Sequence, residues 1–133
     1  MELQHKEITE QIIQAFYKVY NELGYGFLEK VYSNAMLIEI RAMGLNCEKQ
    51  KQIIVYYNES VVGEYYADLF VEDCVIVELK AAETLVEEHE FQLINYLKAT
   101  NTEVGLLLNF GKKPQLKRKA FSNSNKIKFS QIH

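Results

Sequence analysis

Apolar residues recur at helical spacing over the first part of the chain. Ile8, Ile12, Phe16, Val19 and Leu23 share one stripe, which predicts a helix over residues 6–23 with Gly24 just past its end. Gly24-Tyr25-Gly26 reads as a tight link. A second helix is expected from about Leu28 to Met43, stopping at Gly44. Leu28, Val31, Ala35, Ile38 and Ala42 would face the core there, with Glu29, Tyr32 and Met36 on another stripe. The period then changes to two. Asn46–Tyr57, Val61–Val71 and Cys74–Ala81 read as three strands of an antiparallel meander, with turns at Asn58–Ser60 and Glu72–Asp73. Helical spacing returns over Leu85–Thr100, where His89, Gln92 and Tyr96 fall on one stripe and Leu93 and Leu97 on another. Glu103–Phe110 is a buried strand. Because it follows a strand and a helix, it is expected to return by a right-handed crossover, parallel to the strand carrying Glu78. Pro114 breaks the chain, Leu116–Phe121 reads as a short edge strand, and residues 122–133 as a frayed tail. The pattern predicts one α/β domain spanning residues 1–133, with a mixed sheet flanked by helices.

A chain of 133 residues, 48% of them hydrophobic, has enough apolar material for one ordinary core. With no apolar run long enough to span a bilayer and a polar, charged N-terminus, the expected location is the cytoplasm. Cys47 and Cys74 are then reduced thiols, and without a CxxC pair a structural zinc site is not expected. The net charge of −3 conceals an asymmetry: Gly111–His133 holds seven basic residues and no acidic one. A basic segment on an acidic body suits contact with phosphates, and a plain solvated tail is as common.

The chemistry concentrates in Ala67–Lys80. Period-two geometry puts Ile76, Glu78 and Lys80 on one face of a strand, and Val75, Val77 and Leu79 on the other. A turn of two or three residues sets Asp68 opposite Val77 or Glu78. Two carboxylates converging beside an ammonium suit a hard divalent cation, Mg²⁺ or Mn²⁺, which takes carboxylate, water and phosphate oxygens. Such an ion activates a bound water and offsets charge on a phosphoryl group, and a nearby lysine orients that water. The plainer alternative is a hairpin with a solvated Asp and a Glu–Lys pair. Glu29, at a helix start, could equally complement the helix dipole. Gln92 and Tyr96, spaced i, i+4, could be a simple hydrogen-bonded pair. The tyrosines at 25, 56, 57, 65 and 66 could stack on bases or simply pack in strands.

Gly26-Phe27-Leu28-Glu29-Lys30-Val31-Tyr32 resembles the motif that names the GxxExxY proteins, which are placed in the PD-(D/E)XK nuclease superfamily. The resemblance continues through Asp68, Val75–Ala81, His89–Lys98 and Leu106–Gly111, and covers roughly residues 6–121. It implies a restriction-endonuclease-like core. It further implies that Asp68 and Glu78 are metal ligands, Lys80 the catalytic lysine, Glu29 a helix-borne acidic partner, and Gln92 and Tyr96 the Gln-x-x-x-Tyr pair of the RecB-like branch. Ala67 stands where the superfamily's name has Pro. The implied function is Mg²⁺- or Mn²⁺-dependent hydrolysis of nucleic acid, DNA foremost. The alternative is a non-catalytic nucleic-acid-binding or protein-interaction module that keeps the fold. An acidic body with one short basic segment would hold duplex poorly alone, so a homodimer or partner protein is a further expectation.

Overall fold

The strand carrying Glu78 is apolar on both sides, and helices cover both. In a computed structural model, which describes residues 4–126, two helices come first: α1 (Lys6–Leu23) and α2 (Glu29–Ala42). The strands β1 (Cys47–Tyr57), β2 (Ser60–Val71) and β3 (Val75–Lys80) follow. After them come α3 (Glu87–Lys98), β4 (Val104–Phe110), β5 (Pro114–Ala120) and a 3-10 turn at Asn123–Asn125. The sheet order is β1-β2-β3-β4-β5. The first three strands form the expected antiparallel meander, β4 lies parallel to β3, and β5 returns antiparallel to β4.

Alternation along β3 sorts the two layers. Val75, Val77 and Leu79 join Leu106, Leu108 and Phe110 of β4 in the core beneath α1 and α2. Ile76 and Leu107 pack with Leu93, Tyr96 and Leu97 of α3 on the other side. Glu78 and Lys80 are in phase with Ile76 and so belong to the α3 side of the strand. Consecutive residues with positive φ open both hairpin turns: Asn58–Glu59 (47° and 68°) in a two-residue turn, and Glu72–Asp73 (51° and 55°) in a three-residue turn that Cys74 completes. This backbone follows the right-handed twist of the strands it joins. The second turn is anchored by Asn46, whose carbonyl accepts from Glu72 N–H and whose N–H donates to Glu72 Oε2.

Helix α1 buries the expected stripe, with Ile12, Phe16 and Val19 inward, and Gly24 ends it at φ 69°. Helix α2 is turned relative to expectation. Tyr32, Ser33, Met36 and Ile40 are buried, whereas Leu28 is 80% and Ile38 70% exposed. The reason is aromatic. Tyr32 stacks on Phe110 at 4.1 Å between ring centroids. Its hydroxyl donates to Gly24 O and accepts from Phe27 N–H, so the phenol is buried with its polar end satisfied by the α1–α2 link.

The C-terminal part also differs from expectation. Pro114 opens β5 instead of breaking the chain, paired with Phe110 at the start of an edge strand, where a missing N–H does little harm. Of the expected frayed tail, residues 123–125 form the 3-10 turn. Lys126 is buried, donating to Thr100 O, Thr102 O and Asn123 Oδ1. Residues 127–133, Lys128 included, lie outside the described residues. The basic segment is not unopposed: Lys119 pairs with Glu90 at 2.6 Å, and Arg118 donates to Gln4 O.

The seat of α3 depends on Gly105. A Cβ there would lie 2.6 Å from Leu93 Cδ1 and 3.1 Å from Leu93 Cγ, inside the α3 core. Gly105→Ala is expected to destabilise the fold by about 1–3 kcal/mol through overpacking. Chemical denaturation checks this, and an unchanged midpoint would mean that the layer is looser than its contacts imply.

Candidate functional site

The ladder between β2 and β3 ends at Leu69↔Val77. One step further Asp68 lies across from Glu78, and there side chains take over from the backbone. Asp68 N–H donates to Glu78 Oε2 at 2.7 Å, and Leu79 N–H donates to Asp68 Oδ2 at 2.7 Å. Each carboxylate thus holds the other residue's strand, and the remaining oxygen of each takes no hydrogen bond from any described residue. Glu78 is 4% exposed. Burial, with Asp68's charge beside it, pushes its carboxyl up to about 8. Burial likewise raises Asp68, against the opposing pull of the Leu79 N–H.

Lys80, two residues along the same face, donates from Nζ to Gln92 Oε1 at 3.0 Å. Gln92 Nε2 in turn donates to the Tyr96 hydroxyl at 3.1 Å. Lysine has no acceptor, so the Gln92 amide can face only one way in this chain. Burial and the Glu78 charge push the Tyr96 phenol up to about 12, which keeps its proton in place. Tyr65 of β2 flanks the Tyr96 ring at 5.7 Å. The stripe read from i, i+4 spacing on α3 therefore meets the β3 lysine directly.

Glu29 comes to the same region from α2. It lines a cleft of about 370 Å³ with Lys30, Ser33, Lys49, Gln50, Asp68 and Leu79. Its charge adds to the upward pressure on both Asp68 and Glu78. Among the described residues, no three His, Cys, Asp or Glu side chains converge closely enough to form a ready-made metal cage. Asp68 and Glu78 are linked by their two hydrogen bonds, and Glu29 shares the cleft with Asp68.

Three features here were not read from the sequence. Gln50, opposite Asp68 in the β1–β2 register, has φ 54°, a strained conformation for a non-glycine residue. Ser33 Oγ is buried without a partner among the described residues. Asn109 is fully buried and clamps the exit of β3: its Oδ1 accepts from Ala82 N–H, and its Nδ2 donates to Ala82 O and Gln115 Oε1. Only Asn109 left a signal, as a polar residue ending the apolar run Leu106-Leu107-Leu108.

A mixed five-stranded sheet with two helices on one face and one on the other is a restriction-endonuclease-like α/β fold. A sequence model of the PD-(D/E)XK nuclease superfamily matches residues 6–120, and the chain belongs to that superfamily. The fold is similar to that in a crystal structure of SSO0001, at a TM-score of 0.56 and 13% sequence identity. That likeness covers 96% of this chain and 63% of the other, so the chain spans less than two thirds of that protein's length. No curated protein matches the sequence. No helix among the described residues is long and apolar enough to cross a membrane.

Proposed function

We propose that this chain is a divalent-metal-dependent phosphodiester hydrolase acting on nucleic acid, DNA foremost, and that within its superfamily it stands with the GxxExxY proteins. The observation that carries the reading is the exchange of hydrogen bonds between Asp68 and Glu78. It holds a buried carboxylate, Glu78, beside a half-buried one, Asp68, each with one oxygen left over. Both carboxyls are raised above their ordinary range, so the pair resists ionising until a cation joins it. Two carboxylates with water and substrate oxygens suit Mg²⁺ or Mn²⁺ better than a softer ion. A bound divalent ion would supply an acidified water and neutralise charge at the phosphoryl group.

The protein's own groups divide the remaining work. Asp68 and Glu78 would hold the ion, with Glu29 and the Leu79 main chain assisting. Lys80 orients the attacking water and stabilises the charge that develops on phosphorus. Gln92 and Tyr96 are positioning residues that aim Lys80 through the Lys80–Gln92–Tyr96 chain.

The test is incubation of the purified chain with labelled single- and double-stranded DNA and RNA, with Mg²⁺, Mn²⁺ or a chelator. Cleavage that needs metal is the expected result. Binding without cleavage, across all substrates and both metals, would replace the enzyme by a nucleic-acid-binding module.

A further inference from the structure

We propose that Tyr65, on the β1–β2 arm, is a stacking platform that holds one unpaired base beside the scissile phosphate, so that the substrate is a single strand or a frayed end and not closed duplex. The inference rests on the nuclease reading above and names its substrate class.

The arm begins where the carboxylates sit. The β2–β3 ladder spans Leu69–Val71, whereas from Ser60 to Ala67 β2 is paired with β1. Meanwhile β3 runs on beside β4 as far as Lys80↔Asn109. The two-stranded arm thus parts from β3 at Asp68 and Glu78, and the fork between them opens at the candidate site. Tyr65 stands on the arm's side of this fork and meets Tyr96 of α3, with ring centroids 5.7 Å apart. Tyr96 in turn feels the charges of Glu78 and Asp68 and accepts from Gln92. Tyr65 is therefore one ring away from the groups that would handle the phosphate.

Of this pair of rings, Tyr65 is the one presented to solvent. Tyr96 is buried, and Tyr65 is 49% exposed. Its ring leans back along its own strand over Gly63, where a Cβ would stand 3.3 Å from Tyr65 Cε2. Glycine weakens a strand interior and often marks a close approach, and here the ring makes that approach. The arm and Tyr96 hold the ring in place while half of it stays open.

The chemistry selects the ligand. The carboxylates repel phosphate until metal binds, and a flat π face is a grip that needs no charge. Every base has a π face, so stacking on an aromatic side chain tolerates any sequence. In a closed duplex those faces are covered by the neighbouring pairs, and only an unstacked base can use the platform. Lys51 is on the same face of the arm, by the register Lys51↔Ala67 and Ile53↔Tyr65, with its ammonium 5.0 Å over the Phe70 ring. It gives that face a positive charge for the strand's phosphates.

The experiment uses the full-length chain carrying Lys80→Ala, so that labelled oligonucleotide is bound without being cut, and measures affinity by anisotropy at several salt concentrations. Single strand should bind more tightly than blunt duplex of the same length. Tyr65→Ala is expected to weaken single-strand binding about tenfold to a hundredfold, the size of one base stack, with the salt slope unchanged because no charge is lost. Tyr65→Phe should bind like the parent. Among oligonucleotides each bearing one abasic site, a single position should impair the parent but add nothing to Tyr65→Ala. The chain has no tryptophan, so Tyr65→Trp supplies a lone fluorophore whose emission should be quenched by single strand. This variant decides the matter if Tyr65→Ala folds poorly. Equal affinity of parent and Tyr65→Ala, duplex held as tightly as single strand, or unchanged Tyr65→Trp emission at saturation would each overturn the platform and leave the nuclease reading standing. Emission that shifts with protein concentration but not with oligonucleotide would assign the arm to a second copy of the chain, with the same consequence. A wild-type protein that neither binds nor cleaves any nucleic acid would overturn both.

Discussion

Lys80→Ala is expected to lower metal-dependent cleavage by about a thousandfold, within the range that one positioned proton-handling or charge-stabilising group contributes. The fold should survive. Lys80 is half-buried, its one described hydrogen bond goes to Gln92, and the freed Gln92 amide can turn to water. Affinity for uncut substrate should change by no more than one lost phosphate contact. Gln92→Ala should be milder, because Lys80 then keeps its charge but loses its aim. Single-turnover cleavage with protein in excess separates the chemical step from binding. A Lys80→Ala protein within tenfold of wild type would take the lysine out of the reaction.

The second large effect couples metal, proton and fold. Burial holds the Glu78 carboxyl at about 8, above its ordinary 4.5. Below pH 4.5 both folded and unfolded chains carry that proton, and the full contribution to stability is present. As pH rises, the unfolded chain ionises first, so the contribution shrinks and is lost as pH passes through about 8. Asp68, also raised, acts with the same sign. The metal-free protein is therefore expected to lose on the order of a few kcal/mol between these limits, and Glu78→Gln should flatten the decline. Mg²⁺ should reverse it, since bound metal replaces the proton. Its apparent affinity should rise up to about tenfold per pH unit below 8. Saturating metal should then raise the melting temperature by several degrees. Asp68→Asn keeps an oxygen for the Leu79 N–H but should abolish the metal increment. Melting curves across pH, with chelator or with Mg²⁺, give both results. No increment at pH 8 in millimolar Mg²⁺ or Mn²⁺ would remove the metal site.

The pairing of Asp68 with Glu78 was legible because a strand has only two faces and the hairpin turn is short. The register was the open part: a three-residue turn, Glu72–Cys74, sets Asp68 across from Glu78 on one face, whereas a two-residue turn would have set it opposite Val77 on the other. Helix α2 was harder. Its two stripes are a single residue apart, and the one with more aliphatic side chains lost to the one bearing Tyr32. That choice was made by Phe110, some eighty positions away, and by the backbone of the α1–α2 link that satisfies the phenol. The partners of the basic segment were out of sight for a similar reason. Lys119 and Lys126 find acceptors on α3 and on the chain around Thr100, and a composition count cannot anticipate these. Ser33 and Gln50 were invisible because neither burial without a partner nor positive φ has a residue-type signature there.

At the end of the β2–β3 ladder, two amide protons point at carboxylates instead of carbonyls. A carbonyl acceptor is chemically constant, whereas a carboxylate changes its basicity whenever it gains a proton or a cation. The amides of Asp68 and Leu79 are thus built-in spectroscopic reporters, and their ¹⁵N–¹H resonances should shift together as either ligand binds. The neighbouring amides of the regular ladder, such as those of Leu69 and Val77, would stay nearly still. A titration followed at those two peaks would read the occupancy of the centre directly, with no substrate and no turnover.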